Sequence, residues 1–316
     1  MPIRNALLIL TRTSLATLAI SFALASIAAA QTKVTIGVPP VPEFVLPMIA
    51  VEKGYFKDHG IDAMIRIIPG GQSMPAALQS DSLQIAALST ASLIQVTDSG
   101  LDLVVVSGGA IASVDDTNYG IVAGANSGIE KPEDFIGKKI GTPGLGTFFH
   151  IMAREWFRRK GVDWRKITFV ESTFPQLADL LKARTVDAVL STNPFLQRAA
   201  APGIGGKVFH IAADLPDRLP PFVYASSRAW ADANREAATG FKLAMDKAVA
   251  FEQSDLPATL EIFGKYVKMP PEVLKTLTIN KLDTNVTPQQ VQLWVDMMEK
   301  QDMLRNFKSP DALFRK

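Results

Sequence analysis

The side chains best placed to do chemistry in this sequence lie in short stretches rich in Gly, Ser and Pro that follow apolar runs. They are Pro39-Pro40-Val41-Pro42-Glu43-Phe44, Gly70-Gly71-Gln72-Ser73, Ser89-Thr90-Ala91-Ser92 and Gly144-Leu145-Gly146-Thr147-Phe148, with Asn193-Pro194-Phe195 as a fifth. Where such a stretch opens a helix, its unpaired N–H groups and partial positive charge suit a carboxylate or sulfonate without any Lys or Arg. Gln72, Ser73, Gly146 and Thr147 are candidates for that role, and Gly71, Ser89 and Thr90 are candidate ligand contacts from the same loops. Asn193 is a polar candidate from the second half of the chain. Phe44, Phe148, Phe195 and Tyr224 are candidates for apolar or stacking walls of the same pocket. Phe149 reads as core. Glu43 offers a different chemistry, pairing with an amine or pyrimidine. Each of these residues also has an ordinary reading, as turn, cap or core.

Catalytic and metal-binding patterns are missing. There is no cysteine, which removes disulfides, thiolate nucleophiles and Cys-type metal sites together. His59, His150 and His210 are scattered, with neither His-Glu-x-x-His nor EF-hand spacing. Gly141, Gly144 and Gly146 sit between a strand and a helix in the manner of a dinucleotide loop. Phe149 stands where the third glycine belongs, however, and no Walker A or Gly-x-Ser-x-Gly segment occurs. The expectation is a protein that binds a small molecule, with no cofactor and no metal.

The elements that must position these loops alternate. Residues 33–38, 61–68, 83–88 and 101–106 read as strands, separated by helical spacing over 43–53 and 73–79. The order then starts again, with strands at 119–123, 139–141, 167–170 and 186–190 and helices at 147–160 and 176–183. The first of these helices aligns Phe149, Met152 and Trp156 on one face. Alternation of this kind predicts α/β lobes with mostly parallel sheets, because parallel strands need crossover connections. Leu88-Ser89-Thr90 and Leu190-Ser191-Thr192 close comparable units in the two halves. From Arg235 the chain reads as helical to its end, and Thr287-Pro288-Gln289-Gln290 is a helix start with a capping box.

The first residues carry Arg4 and Arg12, then an uncharged stretch over 13–32 rich in Leu, Ala and Ile that closes on Ala28-Ala29-Ala30. That is the layout of a cleaved export signal, and Ser14, Thr17, Ser21 and Ser26 make it less apolar than a membrane span. The chain has 33 basic and 31 acidic residues; the first thirty hold two of the bases and no acid, so the remainder is balanced. A neutral surface argues against nucleic acid or an anionic membrane as partner.

Val34-Thr35-Ile36-Gly37-Val38, followed by the Pro-rich loop and then by Glu52-Lys53-Gly54-Tyr55-Phe56-Lys57-Asp58-His59-Gly60-Ile61-Asp62, resembles the opening of the NMT1/SsuA/TauA-like solute-binding family. The resemblance continues through Pro69 to Ser73, Asp134 to Gly141 and Thr185 to Val189. It departs at Asp81-Ser82-Leu83-Gln84, where the family has Gly-x-x-Asp, and at Asn193-Pro194, where it often has Glu-Pro. The resemblance implies a two-lobed periplasmic-binding-protein fold of type II, with residues 31–112 and 225–316 in lobe I and 113–224 in lobe II. It also implies a ligand in the cleft and delivery to a membrane ABC permease driven by a separate ATPase, and the Gly-, Pro- and Asp-rich segments at 108–118 and around 219–224, beside strands, read as the two crossings between the lobes. A monomer in the periplasm is expected, and an organic anion is the favoured ligand. An enzyme of thiamine-pyrimidine metabolism on the same fold is the alternative. The leader makes its own prediction: protein released from the cell envelope by osmotic shock should give Gln31 as its first residue by N-terminal sequencing, and intact Met1 in the membrane fraction would contradict it.

Overall fold

Short apolar runs rich in Val, Ile and Ala, buried on both faces in the inner strands and partly exposed in three of the edge strands, form two five-stranded sheets in the computed structural model, which describes residues 31–214 and 216–315. The expected leader over 1–30 lies outside the described residues. In the first half, β1 (Thr32–Val38), β2 (Ile61–Ile67), β3 (Ile85–Ser89) and β4 (Leu103–Ala112) alternate with α1 (Leu46–Glu52), α2 (Met74–Gln79) and α3 (Thr90–Asp98). The second half contains β5 (Tyr119–Gly124), β6 (Lys139–Thr142), α4 (Phe148–Arg159), β7 (Thr168–Glu171), α5 (Leu177–Lys182), β8 (Ala188–Thr192), α6 (Phe195–Ala199) and β9 (Gly205–His210). The chain then returns through β10 (Leu219–Ser227) to α7 (Arg228–Ala233), α8 (Arg235–Ser254), α9 (Leu256–Val267), α10 (Pro271–Leu274) and α11 (Pro288–Glu299).

The sheets have matching strand orders, β2-β1-β3-β10-β4 and β7-β6-β8-β5-β9. In each, the fourth strand is antiparallel to its neighbours. The mixed, mostly parallel α/β lobes expected from the alternation are therefore present. The Leu-Ser-Thr segments take equivalent places, since β3 and β8 are both the middle strand of their sheet and end at those residues.

β10 corrects the boundary drawn from the sequence. Residues 219–224, placed at the second crossing and in lobe II, instead pair with β3 and β4 in the first sheet, so the crossings run through 113–118 and 211–218. The strand was hidden by Pro220 and Pro221, which cannot donate to a ladder and coincide with register shifts against β4. β4 likewise runs past Ser107 through Gly108 and Gly109 to Ala112. Glycine is needed there because the C-terminal segment lies on the strand: Gly108 N–H donates to Thr284 O at 2.7 Å and Asp283 N–H to Gly109 O at 3.1 Å. The tail is thus not helical throughout.

The family-like block over 52–60 is structural. Gly54 and Gly60 adopt left-handed conformations at φ +75° and +67°. Phe56 stacks on Phe241 of α8 at 5.4 Å, and Glu52 accepts from Lys265 and Tyr266 of α9, each at 3.0 Å. The expected capping box is formed at α11, with Thr287 N–H donating to Gln290 Oε1 at 3.0 Å and Gln290 N–H to Thr287 Oγ1 at 3.3 Å. That helix carries Trp294, fully buried, whose indole N–H donates to Pro220 O at 2.7 Å and whose ring meets Phe148 of the second lobe at 5.6 Å.

A Cβ at Gly108 would lie 2.6 Å from Asp283 O and 2.8 Å from the Thr284 carbonyl carbon. Gly108→Ala is therefore expected to destabilise by about 1–3 kcal/mol, since backbone must move. Gly71→Ala, with nothing within 4 Å of its added carbon, should change stability by less than about 0.5 kcal/mol. Urea unfolding of the two variants and wild type checks the contrast.

Candidate functional site

The N-termini of α3 and α4 converge from opposite lobes on one cavity of about 40 Å³, lined by Pro39, Phe44, Gly71, Ser89, Ser92, Pro143, Thr147, Phe149, Phe174 and Phe222 among others. Ser89 caps α3. Its hydroxyl oxygen accepts from Ser92 N–H at 3.0 Å while its O–H donates to Ser92 Oγ at 2.7 Å. Thr147 caps the other helix in extended conformation, and its hydroxyl donates to Gly144 O at 2.9 Å. The walls are aromatic, with Phe44 edge-on to Phe222 at 4.9 Å and Phe149 edge-on to Phe174 at 5.5 Å. Two helix N-termini with partial positive charge, apolar walls and no lining acid make a pocket suited to an anion with an apolar body. Admitting an organic molecule into a space this small requires the lobes to separate or the rings to move.

Of the residues singled out from the sequence, Phe44, Gly71, Ser89 and Thr147 line this cavity. Gln72 borders it by reaching across, its Nε2 donating to Pro143 O at 3.1 Å. Gly146 is an inter-lobe contact: it sits at φ +71°, and a Cβ there would be 2.6 Å from Gln95 Oε1 of α3. Its N–H donates at 2.9 Å to Nδ1 of His150, whose pKa burial and the neighbouring Arg154 push down to about 4, so the imidazole stays neutral and able to accept. Ser73 is exposed before α2. Thr90 is buried and donates to Pro220 O at 2.7 Å. Tyr224 is fully buried against Phe44 and Phe241, away from the lining.

The α4 pair is buried, and only one member reaches the cavity. Phe148 is packed on Tyr119, Phe222 and Trp294 and stays off the lining, whereas Phe149, read as core and buried as such, also lines the cavity. Consecutive helical residues point about 100° apart, so only one of the two can face the cleft, and the sequence does not fix which. Phe174 and Phe222 also line the cavity and were missed, Phe222 because it follows the two prolines that obscured β10. Phe195 lies outside the cavity, on a larger groove of about 680 Å³ shared with Pro40, Pro69, Pro175, Arg198 and Lys268. It stacks on Phe174 at 5.6 Å, so this pair of rings separates groove from cavity.

Asn193 belongs to a polar cluster beside the crossings. Its Nδ2 donates to Asn118 Oδ1 at 2.7 Å, which also accepts from Thr278 at 2.7 Å, and Asn118 in turn bonds Asn280. Next to Asn193, the Thr192 hydroxyl donates to Glu43 Oε1 at 2.9 Å, joining the lobes. Glu43 is only 3% exposed, not the solvated loop residue that is commoner for Glu. Burial raises its pKa to about 7 against the lowering effect of its backbone and Thr192 hydrogen bonds, with Asp116 adding to the rise. Among the described residues no three His, Asp or Glu come close enough to hold a metal ion.

Residues 41–255 match the family model described as NMT1/THI5 like. A Brucella abortus (strain 2308) relative, described by name only as a binding protein, is 24% identical over 233 residues, covering 72% of this chain and 69% of its own. Among solved structures, the alkanesulfonate-binding protein SsuA from Xanthomonas axonopodis pv. citri, bound to MOPS, is similar with a TM-score of 0.75 at 16% identity, over 92% of this chain and 100% of that one. The periplasmic nitrate-binding protein NrtA from Synechocystis PCC 6803 gives 0.73 at 15% identity, over 90% and 85%. At these identities the structural likeness is one of fold.

Glu43 makes stability depend on pH. Its ordinary pKa of 4.5 is raised to about 7 by folding, so between those values the unfolded chain releases a proton that the folded protein keeps. Its contribution is fully present below pH 4.5 and is lost as pH rises through about 7, by roughly 3 kcal/mol at most. Glu43→Gln, which keeps an acceptor for Thr192, should remove that slope and exceed wild type in stability at about pH 8. Urea midpoints at the two ends of the window decide it; parallel pH profiles for the two proteins would contradict the assignment.

Proposed function

Because this chain belongs to the NMT1/THI5-like family, we propose that it is an exported solute-binding protein that captures a small organic anion between its lobes and delivers it to an ABC importer. It is a binding protein and not an enzyme, in keeping with the relatives it resembles, which are named for what they bind. The observation that carries the reading is the convergence of two helix N-termini, one from each lobe, on an aromatic-walled cavity. A clamp needs groups from both lobes on one ligand, so that binding energy is realised only when the lobes meet. The crossings through 113–118 and 211–218 are the hinges of that motion.

The ligand proposed is a sulfonate or an aromatic carboxylate. Its head sits at Ser89, Ser92 and Thr147, where backbone dipoles supply positive potential without a Lys or Arg to compete for water. Its body lies against Phe44, Phe149, Phe174 and Phe222. The alkanesulfonate- and nitrate-binding proteins of the same fold take anions by their own names, which is consistent with this choice. Export follows from the leader, and a membrane permease with its own ATPase is the receiving partner of a monomeric carrier. The alternative of an enzyme in thiamine-pyrimidine metabolism gains no supporting observation.

A thermal-shift screen of sulfonates, aromatic carboxylates and pyrimidines tests the ligand class. A true ligand at about a hundred times its Kd stabilises by roughly 2.7 kcal/mol, on the order of 5 °C for a domain of this size. Ser92→Asp puts a carboxylate into the cavity at the third position of α3, where an acid favours the helix. The unliganded melting temperature should hold and the shift with anions should disappear. An undiminished shift in Ser92→Asp would place the ligand elsewhere, and hits confined to neutral or cationic compounds would overturn the anion reading.

A further inference from the structure

The cavity at the two helix N-termini is too small to enclose the whole of an organic anion. It measures about 40 Å³, whereas a cavity of about 150 Å³ takes one benzene ring. The groove of about 680 Å³ lies on the other side of a single pair of rings. Phe174 lines the cavity and Phe195 the groove, and the two are stacked at 5.6 Å with their planes 26° apart. Phe195 is the partly exposed member of the pair, at the start of the short helix α6. One stacked pair is a modest restraint, and a turn of Phe195 toward the groove leaves room for Phe174 to follow.

The groove's lining says what would occupy it. Pro40, Pro69 and Pro270 from the first lobe and Pro175 and Pro194 from the second give rigid apolar walls that lose no rotamer freedom when covered. Its polar side chains are engaged elsewhere: Arg198 donates to Asp179 at 2.8 Å and to Pro175 O at 3.2 Å, and Tyr266 donates to Glu52 at 3.0 Å, while Lys268 is exposed to solvent. The complement of such a surface is an uncharged apolar body. Because the walls come from both lobes, a body lying there is gripped as the lobes meet. We propose that the groove is a second subsite, which receives the distal apolar body of the ligand past the Phe174–Phe195 pair, so that the molecule carried is a long amphiphilic anion rather than a compact one. The position of its anionic head rests on the function proposed above; the place of its apolar body does not.

Isothermal calorimetry with three probes separates the groove from the anion pocket: benzenesulfonate, 4-butylbenzenesulfonate and 4-butylbenzyl alcohol. Wild type should bind one molecule of the butyl sulfonate at least about thirtyfold more tightly than benzenesulfonate, since each methylene taken out of water is worth about a factor of four. Val273→Asp sets a carboxylate on the partly exposed wall of the groove and leaves the cavity lining untouched. In that variant the gain from the butyl chain should shrink to about threefold or less, with benzenesulfonate within about threefold of wild type. Met269→Glu, on the turn before α10, should act alike and serves if the first variant does not fold. Equal affinity of wild type for the two sulfonates, or a gain that survives in a folded variant, overturns the groove subsite and leaves the anion pocket standing. Binding of the alcohol as tight as that of the butyl sulfonate, and lost in Val273→Asp, keeps the groove and sinks the anion reading. Binding of none of the three overturns both.

Discussion

Phe222 is a ring on which aromatic contacts of the two lobes converge, and the rest of the site depends on how that ring is held. It stands on β10 of the first sheet with Phe44 edge-on at 4.9 Å, and it meets Phe148 at 5.1 Å and Phe149 at 6.4 Å from the second lobe. Edge-on and tilted aromatic pairs are favourable but individually modest, so a seam built from them holds the lobes together without locking them. Phe148 passes the contact to Trp294, whose indole is fixed on Pro220 of the same strand. The C-terminal helix therefore braces the junction from behind. The tail goes on to the second lobe, where Arg154 of α4 lies over the Trp164 ring at 3.3 Å and donates to Gln301 O at 3.4 Å.

The polar contacts across the seam are few and of a different kind. Gln72 to Pro143 and Thr192 to Glu43 are single hydrogen bonds, one of them to a carboxyl whose charge burial disfavours. A protonated Glu43 closes the lobes at little electrostatic cost, whereas an ionised one calls for a counter-charge inside. Aromatic contacts, a few hydrogen bonds and one conditional carboxyl suit the clamp proposed above, in which two arrangements of similar free energy would respond to a ligand of ordinary affinity.

The two sheets are built alike and used differently. Thr90 directly follows one middle strand and Thr192 ends the other, both nearly inaccessible, yet the first is bonded to Pro220 O on the returning strand and the second reaches Glu43 in the other lobe. Equivalent backbone positions thus acquire unlike roles from what the chain lays opposite them. The helix that follows each strand differs as well: α3 starts directly at Thr90 and offers its N-terminus to the cavity, whereas after β8 the corresponding short helix carries Phe195 out to the groove.

Local information in the sequence determined most strands and helices of both halves, though not α3, α6 or β9, together with the Gly turns of the 52–60 block, the capping box at Thr287 and the α/β class, because each is set by periodicity or backbone conformation within a few residues. It also brought Phe44, Gly71, Ser89 and Thr147 to notice, since a loop after a parallel strand and before a helix faces the end of the sheet wherever the sheet lies. Tertiary structure alone decided the remainder. Phe149 rather than Phe148 faces the cavity because Trp294, almost 150 residues on, occupies the other side of the helix. Residues 219–227 became a strand because β3 and β4 left a gap that even a Pro-Pro start can enter, and Gly108 was required by a tail that returns from 283–284. Glu43 became a buried acid only once Thr192 and Tyr119 from the other lobe closed over it, and long-range burial of that kind has no signature in neighbouring residues.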